Sequence, residues 1–586
     1  MVSFRGDLRQ GHLSRMELAL IDAIGPFFRG YRKRRINWSK IPFSHLKLRG
    51  DEADAQWRSI REEMRIFGRK VKDLGFNAVT LDDVAHLAAD DGYEDAVRDE
   101  IHALRERFQP IFADLKALGL GIFLTSDYLT TTKAIDERIG RSASSARHWY
   151  CCLVERFLMD FPEVDGVVLR IGESDGTDVE GVLKSRLVLR SARGVNRLLA
   201  DLLPIFEKAG RRLVLRTWTV GAHLIGDLIW HPTRLTKALE GVRSSNLVIS
   251  MKYGESDFFR YLALNRHFFR IDLPKIIEFQ ARREYEGAGE YPSFIGWDCE
   301  RYARELEQAS GVIGFSVWCQ TGGWHGFRRL AFLDENAVWI EQNVVAVIGV
   351  MKDRATVEDA ITRRYGSERA PAILELLRRS DEVVRRLLYI EEFARQRLYF
   401  RRVRIPPLLH VYWDCIFVND AVRKVLTHFI HDPERAVRGG EAAFANFTRM
   451  ETLAEKAGVP VEDIQFMRDT FQLLLLARRY FLLPFEPEME EKIEEAKRAY
   501  KKRWPRKERN RYRIKTSFRA IHVRRRTIMW TARLVIRNKP AYRTVFDRLF
   551  TLRVLSWFYR LFRVRHQRAL PKFLRKSAMG VDAVFR

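Results

Sequence analysis

The stretch Val164-Asp-Gly-Val-Val-Leu-Arg-Ile-Gly-Glu-Ser-Asp-Gly176 begins apolar and then breaks into Arg170, Glu173 and Asp175. Two further stretches do the same: Val248-Ile-Ser-Met-Lys-Tyr-Gly-Glu-Ser-Asp-Phe258 and Ile276-Ile-Glu-Phe-Gln-Ala-Arg-Arg-Glu-Tyr-Glu-Gly287. A parallel strand buried on both faces reads as a near-continuous apolar run. In a barrel of such strands, the C-terminal ends carry the reactive side chains.

Outward from these three, short apolar runs recur at 77–81, 121–126, 164–171, 213–218, 246–252, 275–280, 293–297 and 311–318. Helical patterns such as 57–74 and 96–118 fill the gaps. Strands alternating with helices imply parallel βαβ units. An open doubly wound sheet is the competitor, but no Gly-rich phosphate turn follows the first run. The sequence therefore predicts an α/β fold: a (β/α)8 TIM barrel, then an α-helical domain and a basic helical tail. The expected divisions are a basic N-terminal segment 1–60, the barrel 61–335, a helical domain 336–490 and a basic amphipathic tail 491–586. Helices are expected over 357–365, 370–392, 414–429 and 461–481, and an amphipathic helix over 18–28.

A chain of 586 residues exceeds what one core usually organises. It has no run of about 18 uncharged apolar residues, the length a transmembrane helix needs. Its start lacks the apolar stretch of a secretion signal, so a cytoplasmic location is expected. The five cysteines form no Cys-x-x-Cys pair; this argues against a disulfide framework or structural zinc, and no metal or cofactor is implied.

The net charge of +27 is concentrated at one end. Residues 501–586 hold 27 Lys and Arg against three acidic residues. Leu549, Phe550, Leu552, Leu555, Phe558, Tyr559 and Phe562 recur there at helical spacing among arginines. Such a segment suits a helix on an anionic membrane surface or a membrane-bound partner. Nucleic acid is the less favoured partner, because no recognition motif accompanies the charge, and a solvated tail is the bland alternative. The first partner would make the chain a peripheral protein on the inner face of the cell membrane.

The strand ends would bring Arg170, Glu173, Asp175, Arg216, Trp218, Lys252, Glu255, Asp257, Gln280, Arg283, Glu284, Tyr285 and Trp318 to one mouth, with Trp324 and His325 close behind. Cleavage of a glycosidic bond needs one protonated acid and one ionised carboxylate across a cleft. Arginine and lysine would hold an anionic sugar by charge-assisted bonds, and tryptophan offers a face for stacking. The plain alternative is a ring of ion pairs that closes the mouth.

At these residues the chain resembles family-67 glycoside hydrolases, the α-glucuronidases, over roughly residues 60–350. Arg170-Ile-Gly-Glu-Ser-Asp-Gly176 looks like a variant, one residue longer, of the family motif that holds the general acid. Lys252, Gly254, Asp257 and Phe258 match a second motif; Glu278, Phe279, Gln280, Glu284, Tyr285 and Gly287 match a third. The resemblance implies that Glu173, or else Asp175, is the acid, and that Asp257 and Glu284 serve the attacking water of an inverting reaction. Arg170, Arg216 and Lys252 would bind the substrate carboxylate. It also implies an oligosaccharide or polysaccharide substrate containing a uronic acid or a related sugar. The alternative is a noncatalytic glycan-binding protein at the cytoplasmic membrane face, serving surface-polysaccharide assembly.

Overall fold

The computed structural model describes residues 16–31, 40–172, 181–189, 191–219, 228–229, 233–255, 257–320, 329–395, 397–400, 403–404, 411–412, 415–518 and 536–537. Eight parallel strands close into a barrel. They are β1 (Leu18–Asp22), β2 (Ala78–Leu81), β3 (Gly121–Asp127), β4 (Gly166–Gly172), β5 (Arg212–Thr219), β6 (Leu247–Lys252), β7 (Lys275–Gln280) and β8 (Val312–Trp318). Each strand pairs with its neighbours in sequence, and β1 pairs with both β2 and β8 to close the ring.

Long helices cover several crossovers. They are α1 (Asp51–Leu74), α2 (Asp95–Ala117), α3 (Ala143–Asp160), α4 (Ala192–Ala209) and α5 (Gly296–Leu306). In α1, Trp57, Ile60, Met64, Phe67 and Val71 recur every three or four residues and are all buried, so one stripe faces the sheet. The helix stops at Gly75, whose φ of 105° suits a residue without a Cβ.

Two expectations are corrected here. Residues 18–28 do not form a helix: they hold β1 and a short 3-10 turn, Gly25–Phe28. All five residues of β1 are buried, and a short apolar run has no period that tells strand from helix. The barrel thus takes its first strand from the segment that the sequence set apart as 1–60. The run 293–297 is not a strand. It leads into α5, and Asn343 binds its backbone at Ile295 N (2.9 Å) and Ser293 O (2.9 Å). Its backbone is thus bonded by a side chain rather than by a neighbouring strand.

Helices α6 (Val338–Met351), α7 (Val357–Val383), α8 (Asp420–Phe429), α9 (Pro433–Phe444), α10 (Asn446–Ala457), α11 (Val461–Leu482) and α12 (Pro487–Arg503) follow the barrel. The expected helix over 414–429 begins only at Asp420, because Cys415–Asn419 is a strand. This strand pairs in parallel with Arg513–Ser517. Two buried ion networks tie barrel to helices: Arg260 joins Glu286 to Asp381, and Arg329 grips Asp463 at 2.5 and 2.8 Å. No described helix is long and apolar enough to cross a membrane. The aromatic positions of the tail, Leu549 to Phe562, lie outside the described residues.

Candidate active site

Strand side chains alternate between faces, so every second residue enters the barrel. The lower inward layer is apolar: Leu18, Leu20, Ala78, Phe123, Val168, Val214, Val248 and Ile276 form a cluster of their own. Continuing in steps of two toward the C-terminal ends changes the chemistry at once. Leu20 is followed by Asp22, Phe123 by Thr125 and Asp127, and Val168 by Arg170. Val214 leads to Arg216 and Trp218, Val248 to Ser250 and Lys252, and Ile276 to Glu278 and Gln280. Except for the half-buried Trp218, these polar-layer residues are buried.

Glu278 organises one half of this layer. It accepts from Arg216 Nε at 3.1 and 3.2 Å, from Ser250 Oγ at 2.6 Å and from Trp318 Nε1 at 3.2 Å. The Arg216 guanidinium also lies 4.7 Å from the Trp318 ring. Lys252 Nζ sits 3.7 Å from the Trp218 ring and 4.3 Å from that of Phe258, and it binds Asp257. Asp257 also accepts from Tyr285 OH at 2.7 Å and from Phe258 N at 2.9 Å. The indole faces and the carboxylates hold the cations from different sides, so their side chains are fixed before any ligand arrives.

The segment after β7 supplies Tyr285. Gln280 Oε1 accepts from Glu284 N at 2.9 Å, turning the chain back at the strand end. Arg283, with φ of 56°, sends its guanidinium to Glu286 rather than into the mouth. Burial pushes Glu286 up, but Arg260 and Arg283 outweigh it and hold it well below the usual carboxylate range. Glu284 is itself buried. Glu255, at the far end of the β6 segment, pairs with the exposed Arg266 at 3.3 Å.

The other half of the mouth was not singled out from sequence. Asp22 accepts from the backbone N–H groups of Cys319 and Gln320, clasping β1 to the end of β8. Asp82 accepts from Ile41 N at 2.8 Å and from the Thr125 hydroxyl. Burial raises its pKa to about 7, against the opposing pull of Arg170. Asp83 takes His86 N at 3.0 Å and His86 Nδ1 at 2.6 Å. Burial pushes it up as well, but His86 and Lys40 win and hold it well below the ordinary range. Asp127 joins the two halves, binding Arg170 Nε at 2.5 Å and Lys40 Nζ at 2.8 Å.

The structure thus gathers Arg170, Arg216, Trp218, Lys252, Asp257, Gln280, Glu284, Tyr285 and Trp318 around one end of the barrel. Glu173, Asp175, Trp324 and His325 lie outside the described residues. Gly172, the last residue before 173, allows β4 and β5 to meet: a Cβ there would lie 2.3 Å from Thr219 Cα and 2.4 Å from Trp218 O. Among the described residues, Ser316 Oγ and both polar atoms of the Gln320 amide are buried without a hydrogen-bond partner. No described group of three or more His, Cys, Asp or Glu could hold a metal ion.

No family model and no curated protein matches the chain. Solved structures do. A GH138 enzyme targeting pectin rhamnogalacturonan II is 11% identical, with a TM-score of 0.48 over 84% of this chain and 60% of that one. The chain therefore spans less than two thirds of that enzyme's length. An O-GlcNAc hydrolase mutant from Thermobaculum terrenum is 10% identical, with a TM-score of 0.37 over 87% of this chain and 95% of that one. CpGH84B is 10% identical, with a TM-score of 0.34 over 75% of this chain and 68% of that one. These are similarities at low identity, and the chemistry of this barrel is read from its own side chains.

Proposed function

We propose that this chain is a glycoside hydrolase that acts, with inversion, on a glycan containing a uronic acid or a related anionic sugar. The observation that carries this reading is the convergence of Arg170, Arg216 and Lys252 on one mouth, beside the indoles of Trp218 and Trp318 and the carboxylate of Asp257. Cations supply charge-assisted bonds to a sugar carboxylate, and the half-buried Trp218 gives a sugar ring an apolar face. The unpartnered Ser316 hydroxyl and Gln320 amide suit a polyhydroxylated ligand, since buried polar groups ordinarily find partners.

In this reading Glu173, one residue past β4, protonates the leaving oxygen. Asp257 and Glu284 orient and deprotonate the attacking water on the opposite face of the sugar. Tyr285 and Lys252 fix the Asp257 carboxylate, so that the water meets an already oriented base. The test is incubation of the purified chain with a panel of uronic-acid oligosaccharides, with product anomers followed by NMR. Release of the inverted anomer by the wild type, and its loss in Glu173→Ala, Asp257→Ala and Glu284→Ala, is the expected result. Full activity in all three variants defeats the reading.

One observation favours a noncatalytic glycan-binding role instead: each of the three cations already has an internal carboxylate, Asp127, Glu278 or Asp257. A mouth neutralised in advance can hold a sugar without reacting with it. Binding of the same oligosaccharides without turnover, unchanged by Glu173→Ala, would select that role. For the tail we infer attachment to an anionic surface. Co-sedimentation of the full chain with phosphatidylserine vesicles, and its absence with neutral vesicles, is the check.

A further inference from the structure

The root of the basic tail is built into the barrel mouth. After α12, Trp504 anchors to Asp469 through its indole N–H (2.9 Å), and the chain then crosses to the segment that follows β7. There Arg509 binds Asp463 and lies 3.6 Å from Glu290, and Asn510 N donates to Glu290 Oε1 at 3.3 Å. The buried Tyr512 donates its hydroxyl proton to Tyr285 O at 2.8 Å and accepts from Gly287 N at 3.0 Å. Beyond it, Arg513–Ser517 pairs with Cys415–Asn419.

The segment that Tyr512 grips needs such a tie. Residues 281–295 are all buried, and Arg283, Gly287, Ala288 and Gly289 have positive φ values of 56°, 90°, 51° and 81°. Neither a helix nor a strand supports residues 281–295 before α5 begins at Gly296. Backbone in the left-handed region, and for Ala288 and Arg283 without glycine's freedom, persists only where surrounding contacts enforce it. One hydroxyl that binds both the Tyr285 carbonyl and the Gly287 amide does this across the turn that places Tyr285 on Asp257.

We propose that residues 504–517 form part of the wall of the active site, with Tyr512 a positioning residue for Tyr285 and, through it, for Asp257. The catalytic half of this inference rests on the hydrolase reading above. The test uses the full chain and the variants Tyr512→Phe, Tyr285→Phe, their double and Tyr291→Phe. The Tyr291 hydroxyl lies 3.2 Å from that of Tyr512, but no described bond joins it to Tyr285. Tyr512→Phe should lower kcat by about tenfold with KM within about twofold, the split expected when orientation rather than binding is lost. In a Tyr285→Phe background it should cost nothing more. Amide exchange across 281–291 should quicken in Tyr512→Phe by more than it does in the barrel strands.

An unchanged kcat, a loss that adds in full in the double variant, or an equal loss in Tyr291→Phe overturns the proposal. If the wild type hydrolyses no sugar in the panel, the hydrolase reading falls and the exchange data decide the structural half alone. Faster exchange in Tyr512→Phe then upholds the wall, and unchanged exchange overturns it.

Discussion

Strands β1–β3 and strands β4–β6 carry opposite charge into the same mouth. The first three end at or near Asp22, Asp82, Asp83 and Asp127; the next group brings Arg170, Arg216 and Lys252, beside Trp218. The difference lies in what each side chain touches. Asp22, Asp82 and Asp83 accept backbone N–H groups from Cys319, Gln320, Ile41 and His86, so they hold loops in place. Arg216 and Lys252 meet carboxylate oxygens and aromatic faces instead, and Arg170 meets the carboxylate of Asp127. An inward-facing charge is thus not by itself a sign of function. Asp22 and Asp82 are satisfied largely by backbone donors, whereas Arg216 and Lys252 each lie between an indole and a carboxylate.

The sharpest way to break this contrast is to remove one carboxylate from each side and measure turnover. Asp257→Asn should lower kcat by about 100- to 10,000-fold, the range for loss of a general base, and should also cost stability, because the buried Lys252 loses its carboxylate. Asp83→Asn should lower stability alone, with turnover per folded molecule kept. If both variants lose turnover alike, the division into architecture and chemistry is wrong.

A second test concerns the grip itself. Glu278→Ala would leave the Arg216 guanidinium buried without its carboxylate, along with the Ser250 hydroxyl and the Trp318 N–H. Breaking a buried pair from one side costs about 3–5 kcal/mol, readable in urea unfolding. A loss under about 1 kcal/mol would mean that Arg216 finds water or another partner and is not held in advance.

How much of this was legible in sequence follows the same division. Seven of the eight expected apolar runs are barrel strands, because each is apolar on both faces and most break into charge where the barrel opens. β1 was hidden: Leu-Ala-Leu-Ile-Asp runs straight into Ala-Ile-Gly-Pro-Phe-Phe and offers no period. With β1 went Asp22. Asp82 and Asp83 head a stretch, Leu81-Asp-Asp-Val-Ala-His-Leu87, that reads as readily as a helix start, and only the structure brings Ile41 and Lys40 to them. Tyr512 had no local signal, since its partner Tyr285 is 227 positions away.

Asp82 makes the carboxylate half testable by pH. Its folded pKa is raised from 3.8 to about 7 by burial, so the folded chain keeps a proton that the unfolded chain gives up near pH 4. Its contribution is fully present below the unfolded pKa and is lost as pH rises toward about 7, at roughly 1.4 kcal/mol per pH unit at most. Asp82→Asn keeps the neutral shape and cannot ionise. It should flatten that fall between pH 5 and 7.5 and leave the variant more stable than wild type at the upper end. Urea midpoints that run parallel in the two proteins would mean that Asp82 is already ionised in the fold.

The smallest expected effect comes from the hydroxyl that supports this carboxyl. Thr125 donates to Asp82 and so favours its ionised form, opposing the rise caused by burial. Thr125→Val keeps the shape of the barrel layer and removes that donor, at a cost of about 1 kcal/mol. Because the lost bond served the carboxylate more than the acid, the cost should be larger above pH 7 than below pH 5, and the Asp82 transition should move to higher pH. A cost that is the same at both ends would assign Thr125 to packing alone and leave the backbone donor from Ile41 as the main support of this carboxyl.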